Sequence, residues 1–106
     1  PRLGELIEVV SIMHEQKVAD EGGGYDKVWQ TLVTVRAKVV PVAGREEERG
    51  GLRGVRVCLF TFRRRGDVTP DMKLHWNAAD WAIWEIRDPG PRGMFMLVTA
   101  RAGVTQ

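Results

Sequence analysis

Residues 33–39 read VTVRAKV, and this stretch decides the fold. Apolar side chains occupy Val33, Val35, Ala37 and Val39, with polar ones at the positions between them. Because successive side chains of a strand point to opposite faces, a period of two rich in β-branched residues predicts a strand with one face in a core and the other in solvent. The chain is therefore expected to contain half-buried β-strands.

Upstream of this strand, residues 7–13 (IEVVSIM) alternate in the same way, although less regularly. The stretch ADEGGGYD at 19–26 separates the two and holds three consecutive glycines. Glycine tolerates positive φ, so such a run marks a turn or flexible connection. The first two strands are therefore predicted to form a long hairpin.

Downstream, Val55–Phe62 (VRVCLFTF) is apolar on both faces, which predicts a strand covered from both directions. Between it and the preceding strand lies GREEERGGLRG (44–54), a charged loop fenced by glycines. Three more strands are expected, separated by a tight turn at 77–80 and a proline-containing loop at 88–93. They are Leu74–Trp76, Trp81–Arg87 and Met94–Ala100. The prediction is an all-β fold: a small antiparallel β-barrel or sandwich of about six strands with a long charged loop.

Length and composition agree with one soluble domain. At 106 residues the chain can build a single core, so residues 1–106 are expected to form one domain. No apolar run approaches the roughly 18 residues of a membrane span, and no membrane partner is expected. The opening PRLGELIEVV lacks the features of a signal peptide, which favours a cytoplasmic location.

No motif indicates catalysis. His14 and His75 have no metal-ligand spacing, and Ser11, the only serine, has no recognisable nucleophile turn around it. The glycines at 22–24 match no phosphate-binding loop. Cys58 lies in an apolar strand and is expected to be a buried, inert thiol. We therefore expect no catalytic residue, no metal and no cofactor.

Tryptophans and arginines are the candidate contact residues. Trp81 and Trp84 have opposite parity on one strand, so one is expected in the core and the other on a surface that another chain covers; alternatively, this chain's own loops cover both. Arg63, Arg64 and Arg65 follow a strand, either as solvated turn residues or as a phosphate contact. With exposed aromatic residues they suggest an alternative function, a small nucleic-acid-binding β-barrel. A net charge of +2 does not favour that alternative.

Three runs, at 28–46, 55–64 and 67–89, resemble the phage head-tail joining protein family in their order and motifs. A strand beginning Trp-x-x-hydrophobic ends in a Pro-x-x-Gly-Arg-Glu turn, and a later arginine-rich strand runs into a Thr-Pro-Asp-Met turn. After a short hairpin, a further strand leads to an Asp-Pro turn. The matching residues are Pro41, Gly44, Arg45, Glu46, Thr69, Pro70, Asp71, Met72, Asp88 and Pro89. The segment EERGGLRG (47–54) departs from the longer segment usual in the family.

The resemblance implies a small β-barrel that acts as a structural protein. Such proteins assemble as rings of copies of themselves, six or twelve, at the head-tail interface of a tailed phage or gene transfer agent. The ring acts as a stopper: it closes the DNA-filled head, with the portal or adaptor above and the tail terminator or tail tube protein below. Packaged DNA would pass through the channel without sequence-specific contact. The implied location is the host cytoplasm during assembly and then the head-tail interface of the particle.

Within this role, the charged loop is the candidate lumen or ring-contact segment. Its five consecutive charges include three acidic and two basic residues, a charge of −1 that limits attraction to DNA. The alternative is a solvated loop without contacts. The predicted loop residues are Gly44, Arg45, Glu46, Glu47, Glu48, Arg49 and Arg53, and the predicted subunit or partner contacts are Trp81, Trp84, Arg63, Arg64 and Arg65.

Overall fold

The computed structural model describes residues 3–42 and 55–103. A short 3-10 turn precedes six strands, and these ranges contain no α-helix. The last four strands lie within two residues of their predicted bounds, whereas the first two are much longer than predicted. The strands are β1 (Glu8–Ala19), β2 (Tyr25–Pro41), β3 (Arg56–Arg63), β4 (Lys73–Trp76), β5 (Ala79–Arg87) and β6 (Phe95–Ala102).

The strands form a closed barrel in the order β1-β2-β3-β6-β5-β4, and β4 pairs with β1 to complete it. Every neighbouring pair is antiparallel. The predicted all-β antiparallel fold is confirmed, as a barrel rather than a sandwich, and so is the β1-β2 hairpin. The charged loop at 44–54 lies outside the described residues. The single-domain organisation stays a prediction.

The core follows the period-two pattern of the strands. On β6 buried and half-buried residues alternate without exception. On β2 the predicted inner face is confirmed, because Ala37 is fully buried and Val33, Val35 and Val39 pack against the core. The small Ala37 pairs with the bulky Phe62 of β3, so a small side chain on one strand leaves room for a large one on the next.

An aromatic cluster fills the centre of the barrel. The Trp81 ring lies 5.6 Å from Phe60 and 5.8 Å from Trp76, and the Phe60 and Trp76 rings meet edge to face at 5.8 Å. Trp81 Nε1 donates to the Trp76 carbonyl at 3.1 Å, and Trp76 Nε1 donates to Glu8 at 3.1 Å. Both indole N–H groups therefore have acceptors, which removes the cost of burying them unpaired.

A two-residue turn joins β4 to β5. Asn77 and Ala78 have φ of 57° and 59°, and the flanking Trp76 and Ala79 pair with each other. Positive φ at both central residues defines the type I′ turn, whose twist matches that of the adjoining strands. The predicted turn at 77–80 is thus two residues shorter than expected, and Ala79 and Asp80 belong to β5.

The β1-β2 hairpin extends well beyond the barrel. β1 pairs with β4 only through Ser11–Met13, and β2 pairs with β3 only through Ala37–Pro41. Farther from the barrel the two strands pair only with each other, from the His14–Gln30 pair to the Ala19–Tyr25 pair. We call residues 14–30 the arm. At its base the pairing skips Leu32, a β-bulge that bends the hairpin as it leaves the barrel.

Trp81→Ala should lower the free energy of unfolding by about 3–5 kcal/mol, because it leaves a large cavity in the aromatic cluster. Trp84→Ala, on the same strand, is the matched control and should cost about 1 kcal/mol or less, since Trp84 is 51% exposed. Urea unfolding followed by circular dichroism measures both. Equal losses for the two variants would contradict the assignment of Trp81 to the core.

Candidate assembly surface

The arm is almost entirely exposed, yet its tip is well defined. Within residues 14–30 only His14 and Val28 are half-buried. At the tip the Asp20 carboxylate accepts hydrogen bonds from the backbone N–H groups of Gly22 at 2.9 Å and Gly24 at 2.8 Å. An aspartate that bonds the backbone two and four residues on holds a tight turn. The arm therefore presents a fixed tip to solvent.

Exposed apolar side chains line the arm. Tyr25 is 69% exposed, Val18 43% and Trp29 38%, and Leu32 at the base is 36% exposed. A two-stranded ribbon has no core of its own, and isolated hairpins are marginally stable in water. Large exposed apolar groups on such a ribbon make it a candidate surface for contact with another chain.

The arm has a like-charged pair across its strands and a net negative charge. Lys17 and Lys27 pair directly across the two strands, where like charges repel. Neither lysine has an ion pair within the described residues. Four acidic residues against the two lysines give the arm a net charge of −2. The rest of the described chain has ten basic and seven acidic residues, a net charge of +3.

Where the arm meets the barrel, a polar cluster fixes its orientation. Lys73 Nζ lies 4.4 Å from the centre of the Trp29 ring, a cation–π contact between β4 and the arm. The same ammonium lies 2.9 Å from Asp80, and Asp80 also contacts His75 Nδ1 at 2.7 Å. The hydrogen bond from His75, followed by that from Lys73, lowers the pKa of the Asp80 carboxyl. The Asp80 carboxylate thus holds Lys73 beneath the indole.

Where the pairing of β2 with β3 ends, residues of β2 and of the segment after β3 form a groove of about 500 Å³. We call it the basic groove. Leu6 and Val35 give it an apolar lining, and Arg36 and Arg63 stand exposed beside them. Neither of these two arginines has a carboxylate partner within the described residues. The groove is lined by Leu6, Val35, Arg36, Arg63, Arg64 and Arg65.

Two of the three predicted arginines are already paired. Arg64 Nε contacts Asp88 at 2.8 Å, and Arg65 contacts Asp67 at 2.9 Å. The hydrogen bond from Arg65 lowers the pKa of Asp67, while that from the Gly90 N–H and then Arg64 lowers the pKa of Asp88. Arg64 and Arg65 therefore hold loop acids in place, and of the three arginines only Arg63 has no carboxylate partner within the described residues.

The two tryptophans of β5 differ in exposure. Trp84 is 51% exposed and lies at a bulge, with the Arg101 guanidinium 4.5 Å above its ring. Trp81 is 1% exposed. The prediction that Trp81 contacts another chain is therefore wrong, because its position faces inward and the whole indole lies in the core. A role for Trp84 in contact with another chain stays a prediction.

The outer face of β3 is less covered than predicted. Thr61 is buried, but Val57 and Leu59 are only half-buried. Leu59 pairs with Val40 of β2, which is 41% exposed, so the apolar surface continues across two strands. The prediction that β3 is covered on both faces is therefore confirmed only for its inner face; within the described residues, its outer face keeps exposed and half-buried apolar side chains.

The predicted lumen or ring-contact loop lies outside the described residues. This applies to Gly44, Arg45, Glu46, Glu47, Glu48, Arg49 and Arg53. By contrast, Cys58 is buried as predicted, and burial raises the pKa of its thiol. Within the part of the chain that the structure describes, no three metal-ligating side chains lie close together, and no helix has the length and hydropathy of a membrane span.

Sequence reasoning missed the arm. Because both of its faces meet solvent, residues 14–30 lack the apolar alternation that identifies a half-buried strand. A weaker signal was present: Tyr25, Val28, Trp29 and Thr31 are good strand formers that continue directly into the predicted strand at 33–39. Equal strand lengths on either side of the triple-glycine turn would then have predicted a hairpin longer than the barrel.

A closed antiparallel barrel with an exposed arm and partly uncovered apolar faces defines a structural protein that works by contact with other chains. The sequence model for the phage head completion protein family matches residues 1–103, and the chain belongs to that family. Its function is structural, in the closure of the phage head. The resemblance found from the sequence motifs is confirmed.

Two solved structures share the fold. One is a chain in the virion of a native gene transfer agent particle, at 23% identity and a TM-score of 0.67, covering 100% of this chain and 99% of that one. The other is the solution structure of protein SF1141 from Shigella flexneri 2a, at 18% identity and a TM-score of 0.73, covering 100% of both chains. No curated protein sequence matches significantly.

Lys17→Glu should make the arm more stable, because it replaces a repulsive cross-strand pair with an attractive one opposite Lys27. We expect the amides of β1 and β2 in the arm to gain about 0.5–1 kcal/mol of protection in hydrogen exchange measured by NMR. Gln16→Glu is the control, since its cross-strand partner is Val28. Equal protection in both variants would show that the lysine pair does not strain the arm.

Asp80→Asn should reduce the dependence of stability on acid. The pKa of Asp80 in the folded state lies below its value of about 3.9 in the unfolded state. The ionised carboxylate therefore stabilises the fold above the unfolded pKa, and this stabilisation is lost as the pH falls through the folded pKa. The free energy of unfolding of the wild type should therefore exceed that of the variant near neutral pH, and the difference should shrink below about pH 4. Urea unfolding across this range measures the gap, and parallel curves would contradict the prediction.

Proposed function

We propose that this chain forms a ring at the head-tail interface of a tailed phage or gene transfer agent particle. In that position it closes the DNA-filled head as a stopper and provides the surface to which the tail attaches. The chain assembles in the host cytoplasm and becomes part of the particle. Membership of the head completion family carries the proposal, and the projecting arm supports it, since a ring needs contacts that reach from one copy to the next.

The partners follow from this position. Copies of the chain are lateral neighbours, the portal or adaptor lies above, and the tail terminator or tail tube protein lies below. The outer apolar face around Val40 and Leu59, and the exposed Trp84, offer surfaces apart from the arm for these axial contacts. Aromatic and apolar side chains of this kind contribute much of the binding energy at protein interfaces.

The chain acts without catalysis in this role. Packaged DNA passes through the channel, and we infer that the channel does not read its sequence. The loop at 44–54 remains our candidate for the segment that reaches the lumen or the neighbouring ring, since it connects β2 to β3 and its run of five charges is net acidic.

The alternative of a small nucleic-acid-binding barrel has less support. A stacking platform needs aromatic faces beside free basic groups. Phe60 and Phe62, which precede the arginines on β3, are fully buried, and Arg64 and Arg65 are bound to acids. Tight, salt-sensitive binding of single-stranded DNA by the isolated protein would favour this alternative.

Particles produced without this chain should contain heads that package DNA but lose it and carry no tails. Electron microscopy and the amount of nuclease-protected DNA measure both defects. Supplying the wild-type chain from a plasmid should restore tailed, filled particles and place a ring of these barrels at the head-tail junction. Tailed particles that retain DNA in the absence of the chain would exclude the proposed function.

The loop is tested separately by deletion of residues 46–53. We expect particles that still carry the chain and bind tails but retain less DNA, because the channel is left open. The matched control replaces the same residues with a glycine-serine segment of equal length. Full DNA retention in the deletion variant would mean that the loop neither closes the lumen nor is needed for the ring contact.

A further inference from the structure

We propose that the tip of the arm of one copy docks in the basic groove of the next copy, and that this contact joins neighbouring subunits of the ring. The inference rests on the proposed ring, and it names the two surfaces that meet. It also explains why one chain carries both an acidic arm and a basic groove.

The two surfaces are complementary in charge. Glu21 and Asp26 lie at the tip and have no cationic partner within the described residues, whereas Asp20 is occupied by its own turn. In the groove, Arg36 and Arg63 have no carboxylate partner among the residues that the structure describes. The arm as a whole carries −2 and the rest of the described chain +3, so attraction between different copies also operates at longer range.

The two surfaces are also complementary in polarity. Tyr25 follows the glycine turn at the tip and is 69% exposed, the largest exposed fraction among the big apolar side chains of the described residues. Leu6 and Val35 provide an apolar lining in a groove of about 500 Å³. A tyrosine ring can fill such a space while its hydroxyl stays among the arginines, an arrangement typical of interface anchors.

The contact must form between copies. Tyr25 and Arg36 belong to the same strand, β2, eleven residues apart. At about 3.3 Å per residue the tip lies roughly 35 Å from the groove of its own chain, and paired strands cannot fold back over that distance. Tip and groove are different patches, so the interface is heterologous, the kind that closes into a ring when the rotation between copies divides a full turn.

The arm also has a reason to need a partner. Its two strands pair only with each other, and Lys17 faces Lys27 across them. Docking of the tip would hold the ribbon at both ends, at the barrel through Trp29 and Lys73 and at the neighbour through Tyr25. Such bracing offsets the low stability of a free two-stranded hairpin.

Crosslinking in assembled particles tests the contact. Gly22→Cys at the tip and Gly66→Cys beside Arg65 at the groove keep every proposed contact residue, and a Cβ at either position meets no atom closer than 3.8 Å. With a short bis-maleimide, the double variant should give a ladder of dimers, trimers and larger multimers. The control pair, Gly22→Cys with Ala82→Cys, and Gly22→Cys alone should give none.

The outcomes separate the two proposals. A ladder for the groove pair but not for the controls supports docking. Particles that carry the chain at the head-tail junction but give no ladder, or give the same ladder with Ala82→Cys, overturn docking and leave the proposed function standing. Functional particles that lack the chain overturn both.

Charge reversal provides a second measurement. Glu21→Arg with Asp26→Arg, or Arg36→Glu with Arg63→Glu, should each lower the copies of the chain in particles about tenfold, as expected for loss of interfacial charge pairs. Combining all four reversals should restore incorporation. Circular dichroism of each isolated variant checks that the barrel is folded. If the fourfold variant is incorporated into particles at a level equal to the product of the two separate losses, the proposed pairing is overturned.

Discussion

The length of the strands relative to the barrel wall is the constraint on which the structure depends. β4 has four residues and can pair with only three of β1, whereas β1 has twelve residues and β2 has seventeen. Backbone N–H and C=O groups need partners, and β1 finds them on β2 along its whole length, from the Glu8–Ala37 pair to the Ala19–Tyr25 pair. The excess length can therefore only leave the barrel as a ribbon, and the position of the arm follows from the short β4.

The barrel contains the core of the chain, whereas the arm is almost entirely exposed. Aromatic packing among Phe60, Trp76 and Trp81 stabilises the wall, and both indole nitrogens have acceptors inside it. The arm adds almost nothing to this core, since nearly all of its side chains are in solvent. A protein that must join several others benefits from this separation, because the contact element can vary without loss of the fold.

Most of the barrel could be predicted from the sequence because its strands are apolar and are separated by clear turn signals. Val33–Val39 shows the period of two of a half-buried strand, whereas Val55–Phe62 is an apolar run and Met94–Ala100 follows a proline-containing loop; the structure confirms all three strands. The opposite parity of Trp81 and Trp84 also predicts that they face opposite sides of β5, although parity alone does not say which of them lies in the core. The arm lacked this signal, because a strand exposed on both faces has no reason to alternate.

The candidate site was harder to predict, since it depends on which loops meet after folding. The run Arg63–Arg65 is consistent with solvated turn residues or with a phosphate contact, but Asp67 and Asp88 pair with two of the three arginines, and Asp88 is distant in sequence. For Arg36, the sequence predicts only a polar residue on the outer face of an alternating strand. It lines the groove because β2 continues past the end of β3, a matter of register that residue patterns do not reveal.

The bulge at Leu32 has a geometric consequence. The extra residue on β2 bends the arm where it leaves the barrel and so affects the direction in which the arm points. If the arm joins neighbouring copies as proposed, this direction determines the angle of rotation between them. The number of subunits that fit around a circle is the full turn divided by this angle. Stoichiometry in such an assembly can therefore be encoded in one unpaired residue, and its deletion would change the circumference of the circle rather than the strength of each joint.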